Sequence, residues 1–222
     1  MHKLFSGCFS LKSINISSFK TDNVRDMSRM FAFCQSLKSI DLSNFDTRNV
    51  QSMNDMFFDC RSLITLDLSS FNTNNVKYLH YMFMGCHSLK ALNLSSFNTI
   101  KVEDMECMFT GCESLKTLDL SSFKTPKVIN INNMFMGCRQ LESIDLSLFD
   151  TNNVIKNKEN FDNILNQIML PDFTLLEEMN SPNLDNIFLG CLFLKNIKCR
   201  EKYILDMFKQ AKEFSEKMKE LK

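Results

Sequence analysis

Between Cys8 and residue 163 one arrangement of apolar and polar positions returns six times, each copy 26 residues after the last and without a slip. Cys8, Cys34, Cys60, Cys86, Cys112 and Cys138 open the copies. Leucine follows at Leu11, Leu37, Leu63, Leu89, Leu115 and Leu141, and a second aliphatic column runs from Ile14 through Ile40 to Ile144. Phe19 to Phe149 and Val24 to Val154 make two further columns. Within a copy the apolar positions first alternate with polar ones, as in Ser39-Ile40-Asp41-Leu42-Ser43, which predicts a short strand with one buried face. They then fall three and four apart at Val50, Met53, Met56 and Phe57, which predicts a short helix. Thr47 and its equivalents Thr21, Thr73, Thr99, Thr125 and Thr151 stand where an N-cap hydroxyl would meet the first free amides, and Pro126 follows Thr125 at the first helical position.

A strand and a helix this short cannot bury their apolar faces alone. Stacking successive copies removes that surface from water and lets parallel strands satisfy each other's backbone groups. The expectation is an α/β stack with a parallel sheet on its concave face and short helices on its convex face. The repeats fill residues 1–163, degenerate or inserted repeats fill 164–200, and a capping helix fills 201–222. In the second stretch the pattern returns at Cys191, Leu194, Ile197 and Cys199; in the third, Ile204, Met207, Phe208, Ala211 and Phe214 share one stripe.

The run Met-Phe-x-Gly-Cys-x-Ser-Leu-x-x-Leu-Asp-Leu-Ser-x-Phe-x-Thr-x-x-Val, clearest from Met82 to Val102 and from Met108 to Val128, resembles the BspA-like leucine-rich-repeat surface proteins of bacteria and protozoa. The resemblance covers about 160 residues of the 222. It implies a leucine-rich-repeat solenoid on exposed or secreted proteins that bind host or matrix components. In this chain the Phe19 to Phe149 column stands where other leucine-rich repeats place Asn or Cys, so a phenylalanine spine replaces the asparagine ladder.

Composition narrows the function classes. Lys and Arg number 26 against 26 Asp and Glu, so the electrostatic footprint of nucleic-acid binding is missing. No apolar run is long enough to cross a bilayer. The first residues carry no secretory signal, which leaves a cytoplasmic location as the alternative to the cell surface or secretion. Six of the nine cysteines form a regular ladder, which reads as buried reduced thiols rather than disulfides or metal ligands. No CxxC occurs, and His80, Cys86 and His87 lack zinc spacing. With three histidines in variable positions and no nucleophile elbow or phosphate loop, the chain reads as a non-enzyme with no cofactor and no metal.

What remains is the outward face of the predicted sheet. Its columns are Ser39, Thr65, Thr117 and Ser143 beside Asp41, Asp67, Asn93, Asp119 and Asp145, flanked by Lys12, Lys38, Lys90 and Lys116. Like charges stacked at strand spacing repel, and a protein or glycan ligand with donor or basic groups would relieve them. Internal pairing with the flanking lysines would do the same and leave a merely solvated face. The functional expectation is a monomeric, non-catalytic binding module of adhesion type that uses this strip. The alternative is an intracellular scaffold or spacer.

Overall fold

The computed structural model describes residues 1–158 and 187–220. They form a small α/β arrangement of parallel strands in two sheets with two helices. Strands β1 (Thr65–Asp67) and β2 (Ala91–Asn93) make one sheet; β3 (Thr117–Leu118), β4 (Ser143–Asp145) and β5 (Asn196–Lys198) make the other. Helix α1 spans 152–158 and α2 spans Lys202–Glu220.

Partners across each ladder between β1 and β4 are 26 residues apart: Thr65 pairs with Ala91, Leu66 with Leu92, and Thr117 with Ser143. The next rung jumps: Ser143 pairs with Asn196 and Ile144 with Ile197. The coil at Cys191 therefore rests directly on the coil at Cys138, and most of the stretch 164–200 expected as terminal repeats lies outside the described residues.

In five of the six copies the segments expected to be convex helices are not helical; only the one after Thr151 is, as α1. In those five the N–H groups of alternate residues reach across to the next coil, as Met53 to Tyr78 O at 3.1 Å, Asp55 to His80 O at 3.0 Å, Phe57 to Met82 O at 2.9 Å and Asp59 to Met84 O at 2.7 Å. The residues between them close tight turns within the coil, as Met56 N–H to Met53 O at 3.2 Å. Parallel bridges link Asp26, Ser52, Tyr78, Asp104 and Asn130 at the head of this ribbon. Two positions per copy take left-handed backbone: Asp55 and Asp59, then Tyr81 and Gly85, then Cys107 and Gly111. A left-handed residue every fourth position breaks an α-helix, so the backbone donors must find acceptors in the neighbouring coil. The apolar spacing of three and four survives because this ribbon also turns one face inward.

Gly85 shows why glycine recurs before the ladder cysteine. Its φ is +77°, and a Cβ there would meet the Asp59 backbone at 3.3 Å.

The threonines are likewise not helix caps in the stacked copies. The buried Thr47 hydroxyl donates to Asn72 O at 3.1 Å and accepts from Asn72 N–H at 2.7 Å; Thr21, Thr73 and Thr125 repeat the pair. Each hydroxyl staples one coil to the next. Only Thr151 immediately precedes a helix, α1, where Ile155 N–H meets its carbonyl at 2.9 Å.

Side chains at equivalent positions form the core. Leu37, Leu63, Leu89, Leu115 and Leu141 are fully buried, as are Met53, Met56, Met82, Met105, Met108 and Met134. The rings of Phe5, Phe31, Phe57, Phe83, Phe109, Phe135 and Phe188 stack with centroids 5.4 to 5.9 Å apart and planes within 13°. This spine is more continuous than the Phe19 to Phe149 column, in which Phe97 and Phe123 stack at 6.2 Å. All nine cysteines are free thiols. Along the ladder each thiol donates to a phenylalanine carbonyl of the preceding coil, from Cys34 to Phe5 O at 3.3 Å through Cys191 to Phe135 O at 3.0 Å. Burial pushes the Cys34 thiol up to about 11 and holds those of Cys60, Cys86, Cys112 and Cys138 well above the ordinary value.

Replacing Thr47 with valine keeps the shape and strands a donor and an acceptor of Asn72, so urea unfolding should show a loss of about 2 to 3 kcal/mol. Thr47→Ser retains both bonds and should lose about 1 kcal/mol for the buried methyl. Equal losses would contradict the stapling role.

Candidate functional site

The sequence places the candidate strip on outward positions of the strands, and there the structure puts it. Ser39, Asp41, Thr65, Asp67, Asn93, Thr117, Asp119 and Ser143 are exposed, and Asp145 is half-buried. Ladder pairing sets Asp67 beside Asn93 and Thr117 beside Ser143. Ser39 and Asp41 lie on a coil that runs alongside without forming a ladder strand; Ile64 N–H joins it at Lys38 O, 3.0 Å away.

Each acid of the column has a local task. The Oδ1 atoms of Asp41, Asp67, Asp119 and Asp145 each accept the N–H of the serine two residues on, at 2.9 Å. Asn15 and Asn93 do the same at 3.0 and 3.1 Å. These are Asx turns that end the strand and start the corner into the phenylalanine column. The recurrent Asp-x-Ser spacing carried that signal.

The turn explains the acidity of these groups. The Ser43 and Ser69 amides hold the Asp41 and Asp67 carboxyls below the usual range, and the Ser121 hydroxyl and amide lower Asp119. Asp145 falls furthest, to about 2, chiefly because the Lys198 ammonium sits 2.8 Å from its Oδ2.

Lys198 is the member of the strip that the repeat pattern does not announce. It stands in register with Asp145 through a jump in spacing, so the 26-residue count does not find it. Among the described residues Lys198 makes the one ion pair of the acid column; Lys38, Lys90 and Lys116 make none with it. The expected internal neutralisation by the flanking lysines is therefore replaced by hydrogen bonds from the serines. One oxygen of Asp41, Asp67 and Asp119 is tied into a turn and the carboxylates otherwise face solvent.

The strip is not flat throughout. Where the hydroxyl column gives way to Ala91, an open depression forms between β2, β3 and β4, lined by Lys90, Ala91, Leu92, Leu118, Asp119 and Ser143 among others. An apolar floor beside a carboxylate, a hydroxyl and an ammonium can seat one side chain of an extended partner.

Elsewhere, His80 Nδ1 lies 3.3 Å from Asp104 Oδ2, and hydrogen bonding to that carboxylate, helped by its charge, raises the pKa of the imidazole. His87 lies 3.4 Å from Glu113. Among the described residues no group of three or more His, Cys, Asp or Glu side chains is placed to hold a metal ion. No described helix is long and apolar enough to cross a membrane.

The lowered carboxyl pKa values fix a pH dependence. The folded state binds fewer protons than the unfolded chain, so the stabilisation is complete above the ordinary carboxyl value of 3.8 and fades as the pH drops to about 2. The urea midpoint should fall across that window, and Lys198→Gln, which lets the folded Asp145 carboxyl move back towards its ordinary value, should make the fall smaller and end it at higher pH. A midpoint independent of pH there would contradict the turn assignment.

No curated protein matches this chain. Among solved structures, a leucine-rich cell surface protein from Faecalibacterium prausnitzii is 18% identical with a TM-score of 0.43, over 83% of this chain and 47% of that one. The chain thus spans about half the length of that protein. Residues 1–92 and 63–169 match the family described as Mycoplasma protein of unknown function, DUF285. The two stretches together take in three quarters of the 222 residues, and the chain belongs to that family.

Proposed function

We propose that this chain is a BspA-like leucine-rich-repeat solenoid acting as a non-catalytic binding module at a cell surface or in secretion, with a protein or glycan ligand held on the acid strip. The observation that carries the reading is the acid column itself. Asp41, Asp67 and Asp119 are exposed and have no ion-pair partner among the described residues, although lysines flank them. Lys198 illustrates the engagement: its ammonium takes the second oxygen of Asp145 while the first stays in the turn. A partner presenting ammonium, guanidinium or hydroxyl groups at coil spacing can make the same contact with the other three. The depression at Ala91 adds a place for an apolar group beside Asp119.

A second reading, an intracellular scaffold or spacer, draws on the same turns. If the acids serve only to end strands, the face is a by-product of the repeat, and length and rigidity are the function.

Substitution by asparagine separates the two, because Asn93 already makes the turn in one copy. Asp67→Asn with Asp119→Asn should leave the thermal midpoint nearly unchanged. It should weaken a partner captured from host or matrix extract about a hundredfold, the scale of two lost charge-assisted contacts. Undiminished capture by the double variant would overturn the strip as the binding site and favour the scaffold.

A further inference from the structure

At the head of the convex ribbon a row of polar side chains crosses from each coil to the next. The residue at the position of His2 meets the one 24 places ahead: Ser28 Oγ lies 2.8 Å from Ser52 Oγ, and Glu106 Oε2 accepts from Asn130 Nδ2 at 3.2 Å. In two copies the crossing pair is titratable. His2 Nδ1 lies 3.6 Å from Asp26 Oδ2, and His80 Nδ1 lies 3.3 Å from Asp104 Oδ2. The third histidine stands elsewhere in the repeat and is placed alike, with His87 Nδ1 3.4 Å from Glu113 Oε1. All three histidines of the chain therefore face a carboxylate of the following coil.

The aspartates are oriented for this contact. Asp26 and Asp104 each tie Oδ1 to the N–H two residues on, at 2.8 and 2.9 Å, which leaves Oδ2 for the histidine. At His80 the backbone closes the same junction on both sides, Leu79 N–H to Asp104 O at 3.0 Å and Tyr81 N–H to Glu106 O at 2.8 Å. The Nδ1 atoms of His80 and His87 are buried and have no hydrogen-bond partner besides the facing carboxylate among the described residues. Around His80 the titratable neighbours are Asp55 on the preceding coil, Asp104 and Glu106 on the following one, and Tyr78 and Tyr81 on its own. Asp55 already pairs with Arg29 at 3.3 Å. The bond to Asp104 outweighs the burial of the His80 ring, so its pKa stands above the ordinary 6.5. Beside His87, Arg139 Nη2 approaches Glu113 at 4.0 Å, and Arg61, one period earlier, pairs with Asp59 at 2.8 Å. Beside His2, the terminal ammonium donates to Asp26 O at 2.8 Å.

We propose that these three pairs make the stack pH-sensitive around neutrality: an imidazolium on one coil clamps a carboxylate of the next, and its deprotonation loosens the junction. A histidine that binds its proton more tightly in the folded state stabilises fully below its unfolded pKa and ceases to do so as the pH rises through its folded one. The stack is thus tightest in mildly acidic solution, below the titration of the histidines and above that of the carboxyls. His80 carries most of the effect because it is the most enclosed of the three, whereas His2 and Asp26 are about half exposed and screened by solvent. The window is separate from the one between 3.8 and about 2 that the turn carboxylates set. The pairs also lie outside the acid strip, so the binding role of the strip does not depend on them.

The test uses the full chain at fixed ionic strength. Histidine Cε1–H signals, followed by NMR from about pH 5 to 9, should place the His80 midpoint above 6.5. Asp104→Asn, the residue that the next copy carries as Asn130, should bring that midpoint back down. In urea the folding constant should fall about two- to fivefold between about pH 5.5 and 8, the scale of a partly exposed ion pair. His80→Asn, the residue found one copy earlier at Asn54, should remove most of that fall. Protection of the Leu79 and Tyr81 amides against exchange, corrected for its intrinsic pH dependence, should drop by a similar factor. A His80 midpoint at or below 6.5, a midpoint indifferent to Asp104→Asn, a folding constant equal at the two pH values, or a pH effect undiminished in His80→Asn would each overturn the clamp.

Discussion

A single coil of this chain cannot satisfy its own backbone. Along the ribbon every second N–H is turned out of the coil by the left-handed residues that frame it, and among the described residues its acceptor belongs to the next coil. A buried, unpaired amide costs about 1 to 3 kcal/mol, and each junction holds three or four of them, so the coils are stable only as a stack. The threonine staples and the cysteine thiols add further bonds across the same junctions, at the corner and at the close of the ribbon. Hydrophobic burial follows from this registry rather than setting it alone. Once coils are held at equivalent positions, like side chains must lie over like, and phenylalanine, leucine and methionine fill the columns with little need for shape matching between different residues.

The same registry gives the cysteine ladder its chemistry. A thiol is a weak donor, small enough for a column that lies close to the backbone, and the phenylalanine carbonyl of the preceding coil gives it a partner at 3.0 to 3.3 Å. Burial holds these thiols in their protonated form, packed inside the core. Serine and aspartate on the opposite corner do comparable work in the open: an Asx turn ends each strand and fixes where the phenylalanine column starts. The turns leave the second carboxylate oxygen of Asp41, Asp67 and Asp119 facing solvent, and these are the oxygens the proposed binding role would use.

Much of this was legible in the sequence, and the losses have physical causes. The period of 26, the aliphatic columns, the buried methionines and the outward positions of Ser39 to Asp145 follow from side-chain spacing, which registry preserves. The convex segments misled because Val50, Met53, Met56 and Phe57 have helical spacing while the bonds that decide the backbone are non-local. Glycine at positions 85, 111 and 137 fits a helix end equally well, and the other left-handed position carries Arg29, Asp55, Tyr81 or Cys107, which share no signature. The threonines misled for the same reason: a hydroxyl at a corner suits a cap until a neighbouring coil offers both a carbonyl and an amide. Lys198 escaped because its register depends on what lies between Cys138 and Cys191, which no fixed period describes.

The central claim is that Phe57 and its equivalents bond to the next coil instead of to their own. Scalar coupling through the hydrogen bond, measured between the Phe57 amide nitrogen and carbonyl carbons in doubly labelled protein, reads this directly. Stacked coils predict a coupling to the carbonyl of Met82, 25 residues ahead, where the bond is 2.9 Å long. A coupling to the carbonyl of Met53, as in an α-helix, would contradict the account and restore the convex helices.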